Sequence, residues 1–287
     1  MTARKSRTPL SRLAKGTFMY LLAILAILAV NGPILYMVVV SFKPAMDIVA
    51  TPPKWIFKPD FSYYITALTG GSPQVHFEFF VYIANSIIVS LGGTALALAV
   101  SFTAAYSMAR WRTGGENFRN YILSLYLLPP AIFIPPLFVV FQTYGLMDTQ
   151  LGLMIAYCVF NIPFCILVLE SFIRDIPVEI EEAAWIDGCS KFGTMARVTF
   201  PLAAPGIVAV GILTFIASWN EYMLALVLTR VHAVTITVGI AKFITGYAIL
   251  WGEIFAAATL SMIPLLIFFL LIQKYLVTGL TLGAVKR

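Results

Sequence analysis

Six apolar runs dominate this chain, at about 18–42, 81–108, 121–144, 151–172, 207–228 and 254–277. A helix needs about 20 apolar residues to cross the hydrocarbon layer of a bilayer, and every run meets that length. A water-surrounded domain lays its apolar residues out as faces around one core, whereas here they arrive as unbroken blocks. Only 11% of the residues are charged, against about 25% in a soluble domain. In lipid each backbone group must find its partner inside the chain, so such runs fold as helices. The sequence therefore reads as an all-α integral membrane protein with six transmembrane helices.

The formal net charge of +6 is read by side of the membrane, not as a nucleic-acid footprint. Segment 1–17 carries Arg4, Lys5, Arg7, Arg12 and Lys15 without an acid. The run that follows is too long for a signal-peptide core and reads as an uncleaved first span. With that terminus inside, 14 of the 19 Lys and Arg fall in inner segments and 5 in outer loops. Both termini, the 177–205 segment and the 278–287 tail are accordingly expected in the cytoplasm. Cys158, Cys165 and Cys189 are an odd number and are expected as free thiols.

Details within the runs refine the picture. Asn31, Gly32 and Pro33 predict a kink in the first. Gly93, Ala97, Ser101, Ala105 and Ala109 recur every fourth residue in the second; such a ridge suits backbone-to-backbone helix packing better than a pore lining. Pro129, Pro130, Pro135 and Pro136 break the third and Pro163 interrupts the fourth, deleting helix hydrogen bonds at membrane depth. Broken helices of this kind either line a solute cavity or bend to fit neighbours. In the loop after the fifth run, Val234 to Val238 alternate, and the loop is expected along the outer surface.

The polar segment from Pro177 to Pro205 has a specific internal order. Glu182, Ala183 and Ala184 precede Gly188 by a three-residue gap, and Val198, Thr199, Phe200 and Pro201 follow nine residues later. Asp175 can cap a helix there, Pro177 suits its first turn, and Glu179, Glu181 and Glu182 sit near its positive end. Gly188 suits a left-handed helix end. A second short helix from Ser190 to about Arg197 is expected to stop at Pro201 and Pro205. The product is a short extramembrane helix with small residues and acidic flanks, shaped for docking.

This order resembles the EAA loop of bacterial ABC importer membrane subunits, E-A-A-x3-G-x9-I-x-L-P, with Val198 and Phe200 at the Ile and Leu positions. The ending Gly279 to Lys286 is similar to the G-L-T-x-G-A-V-K ending of maltose-type carbohydrate permeases, with Leu282 in place of Ala. Asn85-Ser86 and Ser218-Trp219-Asn220-Glu221 look like that subfamily too. The resemblance implies that Glu182, Ala183, Ala184, Asp187 and Gly188 form the contact with a cytoplasmic ATPase, and that Gly283 and Lys286 in the tail face it. It also implies a second homologous permease subunit, two ATPase subunits that bind ATP and Mg, an extracytoplasmic solute-binding protein and a carbohydrate substrate. The location implied is the bacterial inner membrane.

Trp219, Asn220 and Glu221 are read as intramembrane groups, where a carboxylate costs roughly 2.5–3.5 kcal/mol unless paired or wetted. Either they line a solute path, with Tyr126, Gln142 and Asn161 as further members, or Glu221 locks neighbouring helices. His76 and His232 lack metal-ligand spacing, no G-x-x-x-x-G-K-[ST] occurs, and no catalytic constellation assembles. The chain is read as a non-enzyme without its own cofactor. Two competitors stay open: a permease for another polar solute such as glycerol-3-phosphate, and an ion-coupled secondary transporter.

Overall fold

The computed structural model describes the backbone of residues 9–284 and the side chains of residues 18–273. α1 (Pro9–Val40) begins on proline, whose missing N–H is no loss in a first turn. Its side chains from Phe18 to Val30 are exposed and apolar on every side, as befits a helix surrounded by lipid. The helix runs on past Pro33, which donates no N–H of its own, so residues 31–33 do not end it. A short helix α2 (Ala45–Ile48), α3 (Ser62–Leu68) and a hairpin of two-residue strands, β1 (Gly71–Ser72) with β2 (Val75–His76), lead to the second span.

α4 (Phe79–Trp111) and α7 (Gln150–Arg174) pack along much of their length. The small-residue ridge is the reason. Gly93, Ala97, Ser101 and Ala105 are buried. A Cβ on Gly93 would stand 3.0 Å from the Cβ of Tyr157 and 3.3 Å from the Met154 carbonyl. Ser101 Oγ donates to the Ile162 carbonyl at 3.3 Å. Close backbone approach replaces the hydrophobic effect, which has little force between helices in lipid.

Between these two helices the chain forms a sharp elbow. α5 (Gly115–Leu127) is followed by a 3-10 turn, Pro130–Phe133, and then α6 (Ile134–Thr143), with the axes bent by 89°. The prolines sit at the starts of these pieces, where no N–H donor is needed. They set the elbow without stripping hydrogen bonds from a helix interior, which corrects the single broken rod read for 121–144.

α8 (Val178–Ile186) lies beyond the end of α7, with Asp175 at the C-cap of α7 and Pro177 at the N-cap position of α8. Neither supplies a side-chain cap, contrary to the role read for Asp175. α9 (Lys191–Thr194) runs through a π turn, Met195–Thr199, straight into α10 (Phe200–Trp219). Pro201 falls in the first turn of α10, so the expected break at Pro201 and Pro205 is absent. The fifth apolar helix therefore runs from Lys191 to Trp219, beginning before the 207–228 run and ending within it. α11 (Met223–Leu228) follows a break at residues 220–222.

The 229–250 segment lies only partly along the surface: Val231, Ile244 and Tyr247 are exposed, but Val234, Ile236 and Phe243 are fully buried, and α12 (Ile236–Ala241) packs on α4. α13 (Trp251–Ala284) closes the bundle. Among the described residues five helices are long and apolar enough to cross a membrane, and the α5–α6 elbow makes a sixth span when counted as one.

Candidate coupling site

α8 has one face turned to the body of the chain and one turned away from it. Glu179, Glu182, Ala183 and Ile186 share one face at i, i+3, i+4 and i+7. All four are exposed, Ile186 at 86%. The opposite face carries Glu181, fully buried, with half-buried Ala184 and Trp185 beside it. Glu182, Ala183, Asp187 and Gly188 thus look away from the body of the chain, while Ala184 turns toward it.

Glu181 is the anchor. Its Oε1 accepts from Arg110 Nε at 2.8 Å and from Thr199 Oγ1 at 2.8 Å, and its Oε2 accepts from Tyr106 Oη at 3.0 Å. Arg110 Nη2 also donates to the Ile176 carbonyl at 3.0 Å. One carboxylate therefore ties α8 to the end of α4 and to the π turn that begins the fifth span. Charge-assisted bonds around a fully buried carboxylate are the strong kind. Three adjacent acids of one helix give no hint which faces inward. Only the phase of α8 against α4 separates Glu181 from Glu182, so sequence reasoning missed Glu181, Arg110, Tyr106 and Thr199.

The end of α8 is closed by a Schellman motif. Gly188 N–H bonds the Trp185 carbonyl at 3.0 Å and Cys189 N–H bonds the Ala184 carbonyl at 2.9 Å. Gly188 has φ +86°, with open space where a Cβ would lie. Glycine serves the backbone here rather than making room for packing. Ser190 then caps α9, its Oγ accepting from Gly193 N–H at 3.1 Å. Gly283 belongs to the backbone of α13 without a described side chain, and Lys286 lies outside the described residues.

The other singled-out residues do not converge. Trp219 is 5% exposed and packs beside Phe215 at the end of α10. Asn220 is exposed, its amide turned back to the Ile216 carbonyl. Glu221 is not at mid-span: it sits in the break and caps α11, accepting from Leu224 N–H at 2.8 Å and Ala225 N–H at 3.0 Å. That capping answers how its charge is tolerated. Tyr126 and Gln142 are exposed on the two arms of the elbow, and Asn161 donates to Ser218 Oγ at 3.3 Å between α7 and α10. A cavity of about 340 Å³ lies at the elbow, lined by apolar groups including Leu125, Phe133, Pro136 and Phe160.

The far end of the bundle holds a second polar assembly that sequence reasoning met only in part, through Asn85-Ser86. Asp148, at φ +56°, accepts backbone N–H bonds from Arg230, Val231, His232 and Ala233 at 2.9–3.1 Å. Burial works to raise this carboxyl, but the four donors outweigh it and hold Asp148 below the ordinary carboxylate range. Asn85 donates to the His232 and Val234 carbonyls at 2.9 and 3.0 Å and accepts from Gln150 at 2.6 Å. Ser86 Oγ accepts from Ile236 N–H at 2.8 Å. Among the described residues no group of His, Cys, Asp and Glu is placed to hold a metal ion, and the three cysteines are free.

Against this geometry, residues 93–281 match the family described as "Binding-protein-dependent transport system inner membrane component". The chain is 35% identical to the trehalose/maltose transport system permease protein MalG of Thermococcus litoralis, over 92% of its length and 94% of that protein. It is 34% identical to the sulfoquinovosyl glycerol transport system permease protein SmoH of Agrobacterium fabrum, over 91% of each. The diacetylchitobiose uptake system permease protein DasC of Streptomyces coelicolor is 31% identical, over 92% and 95%. In fold, a chain of a bacterial importer of the acidic polysaccharide alginate superposes with TM-score 0.72 at 24% identity, covering 94% of this chain and 99% of that one. The matched residues take in α8 with its buried anchor and most of the spans, and the chain belongs to the family of inner membrane components of binding-protein-dependent transport systems.

Proposed function

We propose that this chain is one of two membrane subunits of an ATP-driven carbohydrate importer, and that α8 is the contact through which a cytoplasmic ATPase moves the spans. The observation that carries the reading is the division of α8 into two faces. Its inward carboxylate is fixed to α4 and the fifth span, while Glu182, Ala183, Ile186 and Asp187 stand uncovered. A short helix rigidly held on one side and bare on the other is built to take a push. The ATP and Mg belong in this reading to the ATPase subunits. An extracytoplasmic binding protein delivers the solute to the opposite end.

The carbohydrate assignment rests on the relatives, whose names specify trehalose/maltose, diacetylchitobiose and sulfoquinovosyl glycerol. The exposure of Tyr126 and Gln142 supports a path shared with a second permease, since these groups do not meet one another within this chain. Membership of a binding-protein-dependent family also weighs against the ion-coupled alternative.

The test is Ala183→Trp in the assembled transporter in vesicles. Ala183 is exposed, so the variant folds with unchanged thermal stability. Solute uptake falls about tenfold or more, as for bulk inserted at the centre of an interface. ATP hydrolysis no longer rises with solute-loaded binding protein. Uptake at the wild-type rate overturns the reading.

A further inference from the structure

The ends of α4, α5 and α7 on the α8 side enclose a polar cavity of about 460 Å³ that the coupling reading leaves unused. Arg112, Arg119, Arg174, Glu116 and Glu170 line it together with Met108 and Thr113. Glu170 is 1% exposed. Its Oε1 accepts from Arg174 Nη2 at 2.6 Å. Its Oε2 lies 3.3 Å from Arg119 Nε, an ion pair too misaligned to be a hydrogen bond, and is otherwise unpartnered. Arg119 and Arg174 remain about half exposed. Arg112 follows the last turn of α4 at φ +50° with no carboxylate within ion-pairing distance among the described residues.

Two chemistries meet in this cavity. The guanidinium groups call for an anion with several acceptor oxygens. The buried carboxylate oxygen calls for a donor, because an unsatisfied charged acceptor is costly. A lone phosphate answers only the first. The surroundings supply a second pointer. Phe118, Leu123 and Leu127 form an exposed apolar surface along α5, whose first turn is one wall of the cavity. Basic pockets between spans hold lipid headgroups.

We propose that this cavity binds the headgroup of a membrane aminophospholipid, of the phosphatidylethanolamine type. The phosphate sits among Arg112, Arg119 and Arg174, the ammonium group donates to Glu170 Oε2, and the acyl chains run along α5. The site would tie α5, one arm of the elbow, to α4 and α7 only when the lipid is in place. It does not depend on the identity of the transported solute.

The test uses the intact transporter, purified in mild detergent and analysed for retained lipid by native mass spectrometry. The wild type keeps phosphatidylethanolamine through washing with phosphatidylglycerol and phosphatidylcholine. Arg112→Gln lowers that retention about tenfold, the size of one lost charge-assisted contact. Glu170→Gln removes the preference for phosphatidylethanolamine over phosphatidylglycerol while phosphate-bearing lipid still binds. Arg197→Gln, an exposed basic residue on the same side, retains lipid as the wild type does. Equal retention in the wild type and Arg112→Gln overturns the proposal. So does a wild type that carries no aminophospholipid, as when a second subunit fills the cavity. Stabilisation by inorganic phosphate alone, with no lipid held, also overturns it. Uptake and ATPase coupling are measured on the same samples, so failure here is distinguishable from failure of the α8 reading.

Discussion

The two ends of the bundle solve the same problem with opposite means. Near α8, one fully buried carboxylate is held by side chains from separate segments, Arg110 and Tyr106 of α4 and Thr199 of the π turn. At the far end, Asp148 holds four consecutive backbone N–H groups, assisted by Asn85, Gln150 and Ser86. The first device concentrates its energy in a few side chains, and every partner is needed. The second spreads it over backbone donors that any residue at 230–233 would supply. A concentrated joint fixes α8 against α4 and the start of α10. A distributed one fixes the path of a long outer segment and tolerates substitution along it.

The largest effect expected from this contrast is at Glu181. Glu181→Ala strands Arg110, whose side chain is only 7% exposed, and breaking a buried pair costs about 3–5 kcal/mol. Thermal unfolding of the purified transporter should show a large drop. A small one would mean that the α8 joint is no more concentrated than the outer one. Next comes the small-residue ridge between α4 and α7. Gly93→Leu forces α4 from α7 at Tyr157 and Met154 and costs about 1–3 kcal/mol, read from the same unfolding curves.

At the outer joint, Asn85→Ala leaves the His232 and Val234 carbonyls unpaired and costs about 1–3 kcal/mol, less than Glu181→Ala because Asp148 still holds the segment. Hydrogen exchange localised to residues 230–236 is the measurement. Asp148→Asn is milder still, about 1 kcal/mol at neutral pH, since the site is partly open to water. Its value lies in the pH dependence. Asp148 titrates lower in the folded chain than unfolded, so its contribution is whole above the ordinary carboxylate range. The contribution fades as pH falls through the depressed folded value. The difference in stability between wild type and Asp148→Asn should therefore shrink in acid. A difference that grows in acid would reverse the assignment.

The architecture was largely legible before any coordinates. Continuous apolar runs dictate spans because lipid leaves the backbone no other partner, and the four-residue recurrence from Gly93 to Ala105 names the face on which α4 packs. Gly188 could be read as a helix end for a similarly local reason, since a left-handed residue without Cβ strain is usually glycine. Proline was read less well. Pro129, Pro130, Pro135 and Pro136 do break the third run, but by beginning new helical pieces at an elbow rather than by deleting bonds inside one helix. Pro201 and Pro205 were taken as stops, but the π turn at 195–199 lets the fifth span begin early and end at Trp219. The same shift of register moved Glu221 from the middle of a span to the break before α11, where it becomes a cap.

What the amino-acid order settled, then, is whatever depends on neighbours in the chain: helix existence, the small-residue face, the left-handed end of α8 and the residue spacing around it. What waited for the assembled bundle is which of three adjacent acids turns inward, which carbonyls Asn85 captures some 150 residues away, and which charges share the cavity beneath α5. Those outcomes depend on the rotation and offset of one helix against another. A shift of a single residue rotates a helical side chain by about 100°, and only packing between elements selects among such shifts.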